Sequence, residues 1–224
     1  MDSGRPGVAS IAAASAPEEG VSEARIGVSS VDVLFELSGS HVPADHATAL
    51  ADAVSAVLPW FAAEPRAGIH PLRAAPSTHG TLVLARRARL MVRVPDVRAP
   101  QALALAGQRL DLQGEPVTVG AGHLKALLPS MTLYAQRVAT GARDEPTFHG
   151  DVERCLAELG VRCEFISGRA RSVRAEGGDV VGYSLALHGL APADSLRVQA
   201  DGIGGERRLG FGIFVPHKAI ATSA

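Results

Sequence analysis

The sequence predicts an α+β chain in which the order strand, helix, strand, strand, helix, strand occurs twice in succession. Three observations lead there. Runs with a hydrophobic period of two alternate with runs of helical period, capping and breaking residues separate them, and the second half repeats the order of the first without visible sequence identity. With 224 residues, 46% of them hydrophobic, the chain can form two units of about 100 residues each.

In the first unit, Val31, Val33, Phe35 and Leu37 alternate with Asp32, Glu36 and Ser38, the pattern of a half-buried strand. Asp45 is placed to cap a helix whose stripe Ala47, Leu50, Val54, Val57, Leu58 ends at Pro59. A strand-like region over 81–95 puts Leu82, Leu84, Leu90, Val92 and Val94 on one face and Arg87, Arg89 and Arg93 on the other; a hairpin turn near 86–88 fits the pattern equally well. Pro100 starts a short helix stopped by Gly107, and 110–119 is extended. The second unit follows as a strand over 132–139, a helix over 145–159 closed by Gly160, a strand over 161–166, and a long basic hairpin from Arg169 through Gly177 and Gly178 to Leu187. A short helix over 192–200, a glycine-rich loop and a last strand carrying Phe211, Ile213 and Val215 complete it. Two tandem ferredoxin-like βαββαβ units are the expected fold, with boundaries at 31–125 and 126–224. The open sheet face of such a unit is also the RNA platform of RRM-like modules.

The first 30 residues, rich in Ala, Ser, Gly and Pro with a lone Arg5, read as a disordered tail and not as an export signal. No apolar run reaches the ~18 residues of a membrane helix, so a cytoplasmic protein with no membrane partner is expected. Cys155 and Cys163 match neither zinc nor redox spacing and are expected as buried, reduced thiols. No histidine pair has metal-site spacing, so neither metal nor other cofactor is expected.

Charge is segregated. Residues 1–64 carry two Arg against nine Asp or Glu, whereas 66–109 carry eight Arg against Asp96 alone. Arg86, Arg87 and Arg89, with Arg169 and Arg171, are candidates for a nucleic-acid backbone; the competing reading is a solvated strand face. The stretch "GIGGERRLGFG", 202–212, holds five glycines around Arg207 and Arg208. Bare amides and cations there would grip an anion, phosphate being the usual one, while a glycine-rich hairpin with no ligand is the alternative. It lacks the Lys of a P-loop, and Arg207 stands where the dinucleotide fingerprint needs glycine.

The spacing Gly202, Gly204, Arg207, Arg208, Gly210, Gly212 in tandem ferredoxin-like units resembles the CRISPR repeat-processing endoribonucleases, the sixth family of Cas proteins. The stretches "ELSGSHVPADHATALADAVSAVLPW", "AGIHPL", "TLYAQRVAT" and "LGFGIFVPHK" are similar to its MYXAN-type subgroup, and the likeness covers about 31–220. The resemblance implies metal-independent cleavage of precursor CRISPR RNA within repeats by attack of a ribose 2′-OH, leaving a 2′,3′-cyclic phosphate. It also implies other Cas proteins of a multi-subunit effector complex as partners. In that family a catalytic histidine lies on or near the first helix, which singles out His46, with His41 in reserve. Lys218 joins the RNA-binding set, and Tyr134, Tyr183, Lys125 and Lys218 are open candidates for the acid. A non-catalytic repeat-RNA-binding subunit is the alternative function.

Overall fold

The structure, a computed structural model, describes residues 29–76, 81–175 and 177–218. The expected N-terminal tail falls almost wholly outside the described residues.

In the first half, β1 (Ser30–Ser38), β3 (Gly68–Ile69), β6 (Arg89–Pro95), β7 (Arg109–Leu112) and β8 (Glu115–Ala126) form one antiparallel sheet in the order β3-β6-β1-β8-β7. Helix α1 (His46–Val57) follows β1, and the short α2 (Ala99–Ala102) follows β6. Setting aside β7, the spatial order of the four main strands is second, third, first, fourth, the ferredoxin-like order. A small three-stranded sheet is added to it, with β5 (Thr81–Leu84) between β2 (His41–Pro43) and β4 (Ala74–Pro76).

In the second half, β9 (Thr132–Val138), α3 (Glu145–Glu158), β10 (Glu164–Ala175), β11 (Gly178–His188), α4 (Pro192–Asp201) and β12 (Val215–Pro216) give a sheet ordered β10-β11-β9-β12, the same ferredoxin-like order.

Several local expectations are corrected. The second strand of the first unit is the two-residue Gly68–Ile69, while 81–84 leaves the main sheet, because the turn over 85–88, closed by the Ala88 amide on the Ala85 carbonyl at 2.8 Å, splits the Arg-rich region. Arg93 does not share the solvent face of Arg89; it is fully buried. The strand over 161–166 and the basic hairpin merge into β10, whose irregularity between Ser167 and Ala170 absorbs the break in periodicity. Phe211 and Ile213 are buried in an irregular segment, and only Val215–Pro216 pairs with β9. Both cysteines are half-buried at the edge of the core.

The second half has a core of its own around Leu133, Phe148, Val152, Leu185 and Phe214, and it also contributes to the core of the first half. Ala139, Val173, Leu209 and Phe211 of the second half pack with Leu50, Val54, Ile69 and Val92 of the first. The far end of the β10–β11 hairpin lies on α1, where Thr48 Oγ1 donates to the Arg174 carbonyl at 2.8 Å and the Arg174 amide donates to Asp45 Oδ1 at 3.2 Å. Asp45 thus occupies the helix N-cap position, but its carboxylate turns to Arg174 and makes no side-chain cap bond.

Candidate functional site

Where the halves meet, a narrow cleft with a volume of only about 10 Å³ is lined by His46, His70, Arg137, Arg208, Leu209 and Gly210 among others. Four structural units supply them: the start of α1, the segment at the end of β3, strand β9, and the glycine-rich loop between α4 and β12.

His46 is the first residue of α1, three residues after β2. Its Nδ1 lies 3.0 Å from the Pro43 carbonyl oxygen. A carbonyl only accepts, so Nδ1 carries the proton, and the neutral ring keeps its lone pair on Nε2. Burial disfavours the imidazolium and pushes the pKa below the ordinary histidine value. The Pro43 carbonyl works against this, the positive charge of Arg137 reinforces it, and Asp45 again opposes it. The ring is therefore predominantly neutral at neutral pH, as a proton acceptor must be.

The glycine-rich loop is shaped mainly by packing against its own protein. Gly202, Gly204, Gly210 and Gly212 all have positive φ. A Cβ at Gly204 would collide with the Ala139 carbonyl, which also accepts the Gly205 amide at 2.8 Å. The Gly212 amide donates to the Arg137 carbonyl at 2.8 Å, and the Gly202 amide closes α4 on the Val198 carbonyl at 2.9 Å. The expectation of bare amides offered to a ligand is thus corrected for Gly202 and Gly212. The Gly210 amide is likewise engaged, donating to the Arg207 carbonyl at 3.1 Å, but this glycine lines the cleft, and a Cβ there would stand 3.1 Å from Arg137 Nη2.

The two loop arginines separate. Arg207 is buried, and its guanidinium donates to the carbonyls of Gly212 at 3.1 Å, Ala200 at 3.1 Å and Arg66 at 3.3 Å. It braces the loop from within, which corrects its assignment to an RNA-facing surface. Burial, followed by the charge of Arg93, pushes its pKa down to about 9. Arg208 is half-exposed and lines the cleft with His46.

Of the other sequence candidates, His41 sits on β2 opposite Val83 and is not among the cleft-lining residues. Arg86, Arg87 and Arg89 are exposed at the β5–β6 turn and the start of β6, away from the cleft lining. Arg169 and Arg171 are exposed on β10, and the charge of Arg171 is felt at Arg137. Lys218 is exposed beyond β12, its carbonyl accepting from His217 Nδ1 at 2.8 Å. Tyr134 packs against His217 with ring centroids 5.4 Å apart, and buried Tyr183 lies against Phe148 at 4.7 Å; neither lines the cleft.

Sequence reasoning missed Arg137. It lies within the quoted stretch "TLYAQRVAT", but strand alternation alone gives one arginine no distinction from twenty. Among the described residues no three His, Cys, Asp or Glu side chains are grouped to hold a metal ion, and no helix is long and apolar enough to cross a membrane.

Residues 31–219 match the family model described as Cas6 Crispr. A protein of Myxococcus xanthus strain DK1622, named CRISPR-associated endonuclease Cas6, is 39% identical over 187 residues, which cover 83% of this chain and 81% of that one. Among solved structures, a CRISPR-associated protein Cas6 superposes with a TM-score of 0.62 at 12% identity, covering 84% of this chain and all of the other. A Cas6-related protein from Pyrococcus furiosus gives 0.60 at 12% identity, covering 87% of this chain and all of the other. At these identities the structural likeness speaks for the fold.

Proposed function

Because the chain belongs to the Cas6 family of CRISPR-associated proteins, we propose that it is an endoribonuclease that cuts precursor CRISPR RNA within its repeats, and that the cut needs no metal. The observation that carries this reading is His46, a neutral imidazole with Nε2 unprotonated, lining a cleft that Arg208 also lines.

The substrate supplies its own nucleophile. The ribose 2′-oxygen attacks the adjacent phosphorus, its proton passing to His46 Nε2 as the new oxygen–phosphorus bond forms. The bond from phosphorus to the 5′-oxygen breaks, and that oxygen takes up a proton from water as it leaves, giving a 2′,3′-cyclic phosphate and a free 5′-hydroxyl. Arg208 neutralises phosphate charge at the cut. The exposed arginines at 86, 87 and 89 and on β10 hold the flanking RNA backbone, where each contact displaces a condensed counterion. The product RNA then serves other Cas proteins of a multi-subunit effector complex.

The test is product chemistry with the cognate repeat RNA. Cleavage in EDTA, a cyclic phosphate on the upstream product, and no cut when the nucleotide before the scissile bond is 2′-deoxy are expected. A deoxy substrate that is cut, or activity abolished by EDTA, would replace this mechanism with a metal-activated water. Tight binding without any cut would leave the chain as a repeat-capping subunit.

A further inference from the structure

Arg137 is a cation set where a protein has little reason of its own to keep one. It projects from β9 and is half-buried, and its Nε is fully enclosed with no hydrogen-bond partner. Nη2 makes one long hydrogen bond, 3.5 Å to the Leu209 carbonyl, at the limit of a useful interaction. Among the described residues no carboxylate lies within ion-pair distance of it. The opposing charge it feels, that of Asp45, is engaged by Arg174, and Arg171 adds a like charge. Burial and that like charge push its pKa below the ordinary arginine value. Removing a guanidinium from water without a counter-ion is costly, so such a group points to an anion that arrives from outside.

The surroundings hold this cation in place. Its Cζ stands over the Phe211 ring, 5.1 Å from the centroid. The Gly212 amide fixes its backbone carbonyl at 2.8 Å, so the glycine-rich loop is stitched to the residue it faces. Gly210 has room for the guanidinium where a Cβ would crowd Nη2 at 3.1 Å. Arg137, His46 and Arg208 open into one cleft.

We propose that Arg137 is a catalytic residue whose guanidinium binds the non-bridging oxygens of the scissile phosphate and stabilises the charge of the five-coordinate transition state. This rests on the ribonuclease reading of the cleft. The division of labour follows from the chemistry: His46 takes the 2′-OH proton, and Arg137 takes part in no proton transfer. Negative charge accumulates on the two non-bridging oxygens as the 2′-oxygen bonds to phosphorus, and a planar fork of donors already desolvated meets it without reorganisation.

The test has two arms. In the wild-type protein with ¹⁵N-labelled arginine, saturation with a repeat RNA carrying one 2′-deoxy nucleotide before the cut is expected to shift the Arg137 Nε–H resonance strongly; an unmoved resonance overturns the proposal. In single-turnover cleavage, Arg137→Gln and Arg137→Lys are expected to lose ~10²- to 10³-fold in rate, the range for one lost oxyanion donor, with affinity changed only a few-fold. Sulfur in place of a non-bridging oxygen is expected to slow the wild type, and that effect should shrink in Arg137→Gln. A folded Arg137→Gln that cuts at full rate, or an undiminished sulfur effect, overturns it. A wild type that cuts no repeat RNA would remove the underlying reading instead, and the resonance arm, which needs no turnover, would still decide whether Arg137 meets phosphate.

Discussion

The Arg93 guanidinium grips the Asp32 carboxylate through two hydrogen bonds, Nε to Oδ1 at 2.7 Å and Nη2 to Oδ2 at 3.0 Å, and reaches across the molecule with its remaining nitrogen. Nη1 donates to the Phe214 carbonyl at 2.7 Å and the Gln199 carbonyl at 2.9 Å, both in the second half. His70 Nε2 adds a contact to Asp32 Oδ1 at 3.1 Å. One buried pair therefore joins β1 and β6 to the segments flanking the glycine-rich loop.

Removing either partner leaves a buried charge alone, which costs about 3–5 kcal/mol. Arg93→Ala and Asp32→Ala are accordingly expected to lower the melting temperature sharply. Burial alone would raise the Asp32 pKa, but the hydrogen bonds and charges of His70 and Arg93 outweigh it and hold the carboxyl well below the usual carboxylate range. Since the folded pKa is depressed, the stabilisation is whole above the unfolded value of about 4 and is lost as pH falls below it. Melting temperatures measured between pH 7 and pH 3 check this: the fall should be shallower in Asp32→Asn, and an equal slope would contradict the assignment.

His46→Ala is expected to lose cleavage of repeat RNA by ~10²- to 10⁴-fold while binding it nearly as well as the wild type, because proton transfer and affinity reside in different residues. Single-turnover rates beside filter-binding affinities make the measurement. If His41→Ala rather than His46→Ala loses activity, the 2′-OH mechanism stands and the choice of histidine falls.

The free protein offers a direct view of the same ring. In a proton-NMR titration His46 is expected to titrate below pH ~6.5, the ordinary histidine value, because burial and Arg137 both disfavour its charged form. Asp45 pulls the other way, and Arg208 and His70 share the cleft. Arg137→Gln should move the His46 pKa upward. A downward or absent shift would mean that the two side chains do not sense one another.

Arg207 and Arg208, adjacent in sequence, should behave as opposites. Arg207→Ala strands three carbonyls that its guanidinium now serves, at ~1–3 kcal/mol for each buried group left unsatisfied, so thermal stability should fall. Arg208→Ala should leave stability near wild type and weaken RNA binding, flattening the plot of log affinity against log salt by ~0.7 for one phosphate contact on a single strand. Replacing Arg86, Arg87 and Arg89 together with Ala should flatten it further. Melting curves and salt titrations separate these outcomes, and an Arg208→Ala protein with unchanged affinity would take that residue off the RNA path.

The amino-acid sequence by itself determined what depends on near neighbours along the chain. Alternation in 31–37, the helical stripe after Asp45, the Gly177–Gly178 turn and the spacing of the loop glycines mark local backbone choices, and the two ferredoxin-like units follow from their order. The helix position of His46 is legible for the same reason. Tertiary structure alone decided which side chains meet. Arg93 has the alternation of an exposed strand residue, yet Asp32, 61 positions earlier, and carbonyls more than 100 positions later draw it into the core. Asp45 stands in a cap position, but Arg174 competes successfully for its carboxylate. Arg207 looks as exposed as Arg208 until the loop folds over it. Arg137 acquires its place only when β9, α1 and the glycine-rich loop close on one cleft. The partner of a charge is set by through-space electrostatics and desolvation, and these are fixed by contacts between residues that sequence proximity does not rank.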